Sequence, residues 1–300
     1  MDIRFLESFL VVAECGSVAQ AARRLNLTPA ALSQRMHALE AALGHPLVAR
    51  VGRTVRPTAA GIAILPKVRA LLEGARDLRL AVAIGEPAGQ IRIGATASAM
   101  TGMIPDILAR MRAQFPKVEF YIRPGSSSEL YQALLARDLD VALLVHPQFE
   151  LTKTLGWQTL REERLLLIAP NGTDLRDPHR AITNHPFIRY DRSQWGGQIV
   201  EKYLVDNDLR VVEWLELDAL DAIVTLVDRG MGVAIIPDWA PPWPSGLKLE
   251  RVVLSSGYGR RTGAMWNLSN AAIAGVRAFI DCAGLAQQAT AATPDLYSRP

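Results

Sequence analysis

Gly16-Ser17-Val18-Ala19-Gln20-Ala21-Ala22-Arg23-Arg24-Leu25-Asn26-Leu27-Thr28-Pro29-Ala30-Ala31-Leu32-Ser33-Gln34-Arg35-Met36 is the stretch on which the reading of this chain turns. Gly16 supplies a residue tolerant of the left-handed conformation that ends a helix, and Ser17 an oxygen that caps the next one. Val18, Ala21, Ala22 and Leu25 then form a short apolar stripe over about 18–25. Asn26-Leu27 is a brief connection. Thr28 caps a third helix, with Pro29 in its first turn, where a missing N–H costs nothing. Leu32, Met36 and Leu39 share one buried stripe of that helix. The opposite face offers Pro29, Ala30, Ser33, Gln34 and His37, with Arg35 alongside. Two short helices joined by a tight turn, the second small and polar on its outside, describe a helix-turn-helix. Ser33, Gln34 and Arg35 can bond base edges or phosphates, and Pro29 and Ala30 allow close approach to thymine methyls.

On the N-terminal side, Ile3, Leu6, Leu10 and Ala13 mark one apolar helical stripe that Gly16 ends. On the C-terminal side, His45 to Thr58 carries Arg50, Arg53 and Arg56 at every third residue around the turn signal Gly52. This reads as a hairpin wing whose arginines reach phosphates or the minor groove. The plainer alternative is a three-helix bundle with a solvated charged loop. The expected DNA-contacting set is therefore Ser17, Thr28, Pro29, Ala30, Ser33, Gln34, Arg35, His37, Arg50, Arg53 and Arg56.

Charge distribution points the same way. The chain has 300 residues and a formal net charge of +3. Residues 1–60 hold seven basic and four acidic side chains, and the remainder holds 26 of each sign. The whole excess sits in the first fifth, as expected of a small nucleic-acid module on a neutral body. With 49% hydrophobic and 21% charged residues, wholesale disorder is excluded. Cys15 and Cys282 are too few for a disulfide framework or a structural zinc site. No window reaches 18 uninterrupted apolar residues, and Met1-Asp2-Ile3-Arg4 lacks the apolar core of a secretory leader. A cytoplasmic protein with no membrane partner is expected.

Gly16-Ser17, Ala21-Ala22, Leu25, Ala31-Leu32-Ser33, Leu39-Glu40, Leu43-Gly44, Leu47, Arg50, Thr58 and Gly61 resemble the LysR-type transcriptional regulators over residues 1 to about 61. The resemblance implies a winged helix-turn-helix that binds an interrupted palindrome of double-stranded DNA as a homodimer, with tetramers formed from two dimers. The chain departs from the family at Pro29-Ala30, where many members read Gln-Pro, at Gln34-Arg35, where they read Arg-Gln, and at Val48-Ala49 in place of Phe-Glu. These departures bear on the operator sequence and not on the fold. Thr58 caps a further helix running to about Ile84, kinked at Pro66 and terminated by Glu86-Pro87. Leu65, Val68, Leu72, Ala75 and Val82 follow a three/four spacing and are the expected dimerisation seam. The alternative is that this stripe packs on its own body.

From Gln90 onward strands alternate with helices, which indicates an α/β body with a mostly parallel sheet. Strands are expected at Ile91–Ala95, Val118–Ile122, Val141–Val145, Leu165–Ala169, Pro186–Tyr190, Val211–Leu217, Val233–Ile236 and Met265–Leu268. Thr96 to Ala99 is expected as a turn. Ile93-Gly94, Ile104-Pro105, Phe115-Pro116, Gly125-Ser126, Glu129-Leu130, Leu139-Asp140, Val227, Gly230-Met231-Gly232 and Pro237 extend the resemblance to about residue 285. It implies a two-lobed Rossmann-like effector domain similar to type 2 periplasmic binding proteins. The expected divisions are 1–58 for the winged domain, 59–89 for linker helix and hinge, 90–285 for the effector domain and 286–300 for a flexible tail. Within the effector domain, lobe I is expected at 90–161 plus 265–285 and lobe II at 162–264.

In open α/β sheets, ligands bind beyond the carboxyl ends of strands. That rule selects Thr96, Ser98, Ser126, Ser127, Val145, His146, Arg192, Ser193 and Trp195 as effector contacts. Hydroxyls and free N–H groups at helix starts suit a small anion such as a carboxylate, and Trp195 suits its apolar part. For each serine, a simple helix cap is the competing role. The five histidines show no metal-ligand spacing, and Gly230-Met231-Gly232 lacks the third glycine of a dinucleotide fingerprint. No Walker loop or Gly-x-Ser-x-Gly elbow occurs. The chain is expected not to be an enzyme and to need no metal or cofactor. A solute-binding or carrier module with protein-contacting N-terminal helices is the alternative.

Overall fold

A computed structural model describes residues 2–52, 54–81, 87–254, 257–268 and 273–291. The chain divides into two compact units, Met1–Val82 and Ala83–Pro300. The first begins with α1 (Ile3–Cys15), α2 (Val18–Arg24) and α3 (Pro29–Leu43). Asp2, Ser17 and Thr28 accept from the backbone N–H groups of Arg4, Gln20 and Ala31. These caps satisfy donors that have no partner inside their helices. Gly16 and Gly44 end α1 and α3 at φ 62° and 75°, where a side chain would be strained. Phe9, Val12, Ala21, Leu32 and Leu39 are sealed inside the bundle, so the expected stripe of α3 faces the core.

The strands β1 (Val48–Val51) and β2 (Thr54–Pro57) pair antiparallel as a hairpin. The helix α4 (Ala59–Ala81) starts on Thr58, whose hydroxyl accepts from Gly61 N–H at 3.1 Å, and it continues through Pro66. The expected end near Ile84, the seam residue Val82 and the wing residue Arg53 lie outside the described residues.

The expected seam is not an open face. Val68 is 2% exposed, and Leu65 and Leu72 pack beside it against the core built from α1 to α3. Ala75 is half-buried. Among the described side chains of α4, the large apolar ones left in solvent are Ile62, Leu71 and Leu78. A three/four spacing identifies an apolar stripe but not what covers it, and here α1 does.

In the second unit the elements alternate. They are β3 (Gly89–Ala95), α5 (Ala97–Gly102), α6 (Ile104–Gln114), β4 (Val118–Pro124), α7 (Ser127–Leu135), β5 (Val141–Val145) and β6 (Leu155–Pro170). Then come α8 (Pro178–Asn184), β7 (Pro186–Tyr190), α9 (Trp195–Asp206), β8 (Val212–Leu217), α10 (Leu220–Asp228), β9 (Ala234–Pro237), β10 (Leu249–Val253), β11 (Gly259–Asn267) and α11 (Ile273–Ala291). The main sheet runs β10-β6-β11-β5-β3-β4, with β9 also on β6. β3 pairs parallel with β4 and β5, and β7 with β8, whereas every pairing of β6 and β11 is antiparallel.

β6 is shared by both lobes: Leu155–Arg164 pair with β11, and Leu165–Pro170 pair with β9 and β10. The lobe boundaries therefore shift. Passage into lobe II falls at Arg164–Leu165 and the return at Gly259, later than the expected 162 and earlier than the expected 265. The stretch Arg161-Glu162-Glu163-Arg164 is charged throughout, yet it lies within β6. In the sheet, Glu162 and Glu163 stand opposite Arg261 and Arg260, and cross-strand pairing of opposite charges favours the strand. β10 had no expected counterpart, and a short helix α5 replaces the expected turn. α11 continues past the boundary at 285 to Ala291, through an alanine-rich run of high helix propensity. Ala286 is buried, so the expected tail begins as packed helix, and residues 292–300 lie outside the described residues. No described helix is long and apolar enough to cross a membrane.

Candidate functional site

Two regions gather the expected site residues, one in each unit. In the first, Pro29, Ala30, Gln34 and His37 are exposed on α3 and Ser33 is half-buried beside them, opposite buried Leu32, Met36 and Leu39. Ser17 and Thr28 spend their side-chain oxygens on capping. Arg35 leans toward α1, where its Nη1 lies 3.5 Å from Ser8 Oγ. On the hairpin, Arg50 and Arg56 are both exposed. Their register pairs Arg50 with Val55 and Arg56 with Ala49, so the two guanidinium groups leave opposite faces of the ribbon.

One residue of this region escaped the sequence reading as a working part. The Glu40 carboxylate accepts from the N–H groups of Leu47 and Val48 at 2.7 and 3.3 Å, and so ties the hairpin to the end of α3. Val55 N–H donates to Gly16 O at 2.8 Å and holds the second strand to the first turn. The arginines thus stand on a braced ribbon. Only the Leu39-Glu40 motif signalled the residue, without showing its use.

In the second unit, the carboxyl ends of β3, β4, β7 and β8 and the starts of α5, α7, α9 and α10 converge on a cavity of 270 Å³. Of the expected effector contacts, Thr96, Ser98, Ser126, Ser127, Val145 and Trp195 line it, and Tyr190, Gln194, Asp218, Asp221, Trp239 and Arg260 join them. His146, Arg192 and Ser193 do not line it. His146 packs edge-on against Trp157 with ring centroids 4.8 Å apart, its Nδ1 lies 2.7 Å from Pro147 O, and burial lowers its pKa. Arg192 bonds Glu216 at 3.0 Å and Glu213, contacts that raise its pKa. Ser193 is exposed in a turn and donates its N–H to Asp191 at 2.7 Å. The strand-end rule names a neighbourhood, and the turn out of β7 brings Gln194 and Trp195 inward but not Arg192 or Ser193.

The competing roles of the serines separate. The Ser126 hydroxyl donates to the Glu129 carboxylate at 2.8 Å and accepts from Glu129 N–H at 3.3 Å, a reciprocal cap. The Ser126 N–H also donates to the Glu129 carboxylate at 2.9 Å, and this bond, with that from the Ser126 hydroxyl, holds the Glu129 pKa below its usual range. Ser127 Oγ is buried and accepts from Val145 N–H at 3.1 Å. Trp195 is 8% exposed and packs edge-on against Tyr131 and Phe149, so most of its ring belongs to the core of lobe I.

Ser98 instead bonds the back wall: its Oγ accepts from Arg260 Nη2 at 3.0 Å. Arg260 and Glu163, paired across β11 and β6, are 3% and 2% exposed. Arg260 Nη1 also lies 3.5 Å from the Tyr190 hydroxyl. One guanidinium therefore touches residues of both lobes from the strands that connect them. Burial alone would lower its pKa, but Glu163 and Tyr190 outweigh burial and raise it. Burial likewise pushes the Tyr190 phenol up. At Asp218, desolvation by the cleft walls, reinforced by Asp191, raises the carboxyl pKa. Among the described residues no three His, Cys, Asp or Glu side chains gather as metal ligands would.

Residues 3–62 match the family described as bacterial regulatory helix-turn-helix protein, lysR family, and residues 85–286 match the LysR substrate binding domain. The nitrogen assimilation regulatory protein nac of Escherichia coli (strain K12) is 30% identical over 80% of this chain and 79% of its own length. The HTH-type transcriptional regulator IlvY of the same organism is 27% identical over 79% of this chain and 82% of its own. Among solved structures, a full-length OxyR variant from Pseudomonas aeruginosa superposes with a TM-score of 0.69 at 19% identity, covering 95% of each chain. Full-length CbnR complexed with its target DNA gives a TM-score of 0.64 at 20% identity, covering 95% of this chain and 100% of that one. At such identities the two structures speak for the fold alone.

Proposed function

This chain belongs to the LysR family of transcriptional regulators, and on that premise we propose that α3 and its hairpin read double-stranded DNA, that two copies pair along α4, and that the cleft of the second unit holds a small-molecule effector. The observation that carries the DNA reading is the exposed face of Pro29, Ala30, Ser33, Gln34 and His37 opposite a buried stripe. Ser33 and Gln34 supply base-edge bonds, whereas Arg50 and Arg56 supply phosphate or minor-groove contacts. A paired copy makes the site an interrupted palindrome, since two-fold protein symmetry is mirrored in the DNA. The effector, by preferring one closure of the lobes, biases how the dimers, or tetramers of two dimers, are arranged on DNA. A free-standing solute carrier is not favoured, because residues 3–62 match a DNA-binding family.

Filter binding to the chain's own upstream DNA at two salt concentrations tests this. Affinity is expected to fall steeply with salt, by several units of log–log slope per dimer. Ser33→Ala or Gln34→Ala is expected to cost about 1–3 kcal/mol at the preferred site and to relax base preference, whereas Arg50→Ala weakens all sequences alike. Salt-independent binding, or unchanged preference in both α3 variants, would remove the basis of the assignment.

The pairing seam supported by exposure is Leu71, Gly74 and Leu78, spaced three and four apart on one side of α4. Leu71 and Leu78 are 53% and 71% exposed. Leu71→Glu together with Leu78→Glu is expected to shift sedimentation toward monomer at unchanged helicity. Val68→Glu, by contrast, is expected to unfold the first unit by burying a charge. Dimers that survive the double substitution would place the interface elsewhere.

A further inference from the structure

The cleft is unevenly charged. Asp218 and Asp221 face it from lobe II, where α10 begins, and neither side chain makes an ion pair or hydrogen bond among the described residues. Desolvation, with Asp191 and Glu129 adding to it against the opposing pull of Arg260, keeps the Asp218 carboxyl harder to ionise than usual. Arg260 is the one cation among the described residues lining the cavity, and Glu163 already balances it. A purely anionic ligand would enter past two exposed carboxylates that no ion pair among the described residues neutralises.

The back wall has the opposite need. A guanidinium carries five N–H donors. Three from Arg260 go to Glu163, Tyr190 and Ser98, and the other two make no hydrogen bond among the described residues. Thr96 Oγ1, two residues before Ser98 and in the same cavity lining, is buried with no hydrogen-bond partner among the described residues. One side of the cavity thus lacks a cation and the other lacks an acceptor. The volume of 270 Å³ lies at the small end for ligand sites and suits a molecule of amino-acid size.

Taking the cleft as the effector site, as proposed above, we propose that the effector is a small zwitterion of the α-amino acid class, its ammonium against Asp218 and its carboxylate against the Arg260–Ser98–Thr96 corner. The ammonium supplies the missing countercharge, and the carboxylate takes the spare guanidinium donors while Glu163 stays in place. A simple carboxylate satisfies only the back wall, and a simple amine only lobe II.

Differential scanning fluorimetry of the full-length protein tests this with three matched panels at millimolar concentration: the proteinogenic L-amino acids, their 2-hydroxy acids, and their decarboxylated amines. At least one amino acid is expected to raise Tm, with its hydroxy acid and amine binding about tenfold more weakly or worse. Asp218→Asn is expected to weaken that amino acid by about tenfold, and Asp218→Glu to recover part of the loss. Hydroxy acids that shift Tm as strongly as amino acids, and more strongly in Asp218→Asn, would leave the cleft an effector site but overturn the zwitterion. So would amines that match the amino acids, or an amino-acid shift that Asp218→Asn leaves unchanged. A Tm that no compound of the three panels moves would overturn the effector reading of the cleft itself, and the zwitterion with it.

Discussion

Glu163→Ala is expected to destabilise the second unit by about 3–5 kcal/mol, because it leaves the Arg260 guanidinium charged and buried without a counterion. Glu163 and Arg260 are 2% and 3% exposed, so water cannot take over the missing role without opening the strands. Ser98 and Tyr190 remain as neutral acceptors, at 3.0 and 3.5 Å, but neither carries the balancing charge. Removing both charges is a different matter. Glu163→Met combined with Arg260→Met is expected to recover most of the loss, since two apolar side chains of similar volume need no pairing. Urea unfolding followed by tryptophan fluorescence reads this cleanly, as all six tryptophans (Trp157, Trp195, Trp214, Trp239, Trp243 and Trp266) lie in the second unit. A loss below about 1 kcal/mol in Glu163→Ala would mean that the pair is hydrated and behaves as a surface ion pair. The stable double variant is nevertheless expected to lose effector response, because Arg260 is the group that touches both lobes.

Gly61→Ala is expected to damage the first unit by an amount at or above the upper end of the roughly 1–3 kcal/mol usual for overpacking. A Cβ there would sit 2.1 Å from Leu47 O and 3.3 Å from Pro57 Cβ. The first obstacle is backbone, so no rotamer change relieves it. Leu47 O is also fixed by Thr58 N–H at 2.9 Å, and Leu47 N–H by Glu40. Relief therefore requires α4 to lift away from the base of the hairpin, carrying the ribbon off its brace on α3. Thermal unfolding followed by circular dichroism is expected to show the loss. DNA affinity is expected to fall with it, although Gly61 is not among the expected DNA contacts. A variant with wild-type Tm and wild-type affinity would show that α4 can slide without disturbing the hairpin.

What could be read without coordinates was local. Gly16, Ser17 and Thr28 announce helix boundaries because caps and left-handed residues act within four positions of themselves. The α3 stripe of Leu32, Met36 and Leu39 follows from the helical period alone, and so does the opposite polar face. The neutral body and basic module were legible from charge position, and the strand-end rule led to Thr96, Ser98, Ser126 and Ser127. The same rule failed for His146, Arg192 and Ser193, because it carries no information about which way the chain leaves the strand.

Partnership was not local, and the tertiary structure decided it. The stripe Leu65–Val68–Leu72 is apolar in either reading; only the position of α1 shows that it is already covered. Arg161 to Arg164 are charged throughout, and their place in a strand rests on β11 bringing Arg260 and Arg261 opposite Glu163 and Glu162. Arg260 lies far along the chain from Ser98 and Tyr190, yet all three meet on one wall. By itself, the sequence determined the helix-turn-helix, its wing and the alternating body, since these rest on periodicity, caps and charge along a short reach of chain. The covering of α4, the brace at Glu40 and the charge balance of the cleft were settled only by the fold, because each depends on contacts between segments whose separation in sequence carries no energetic signal.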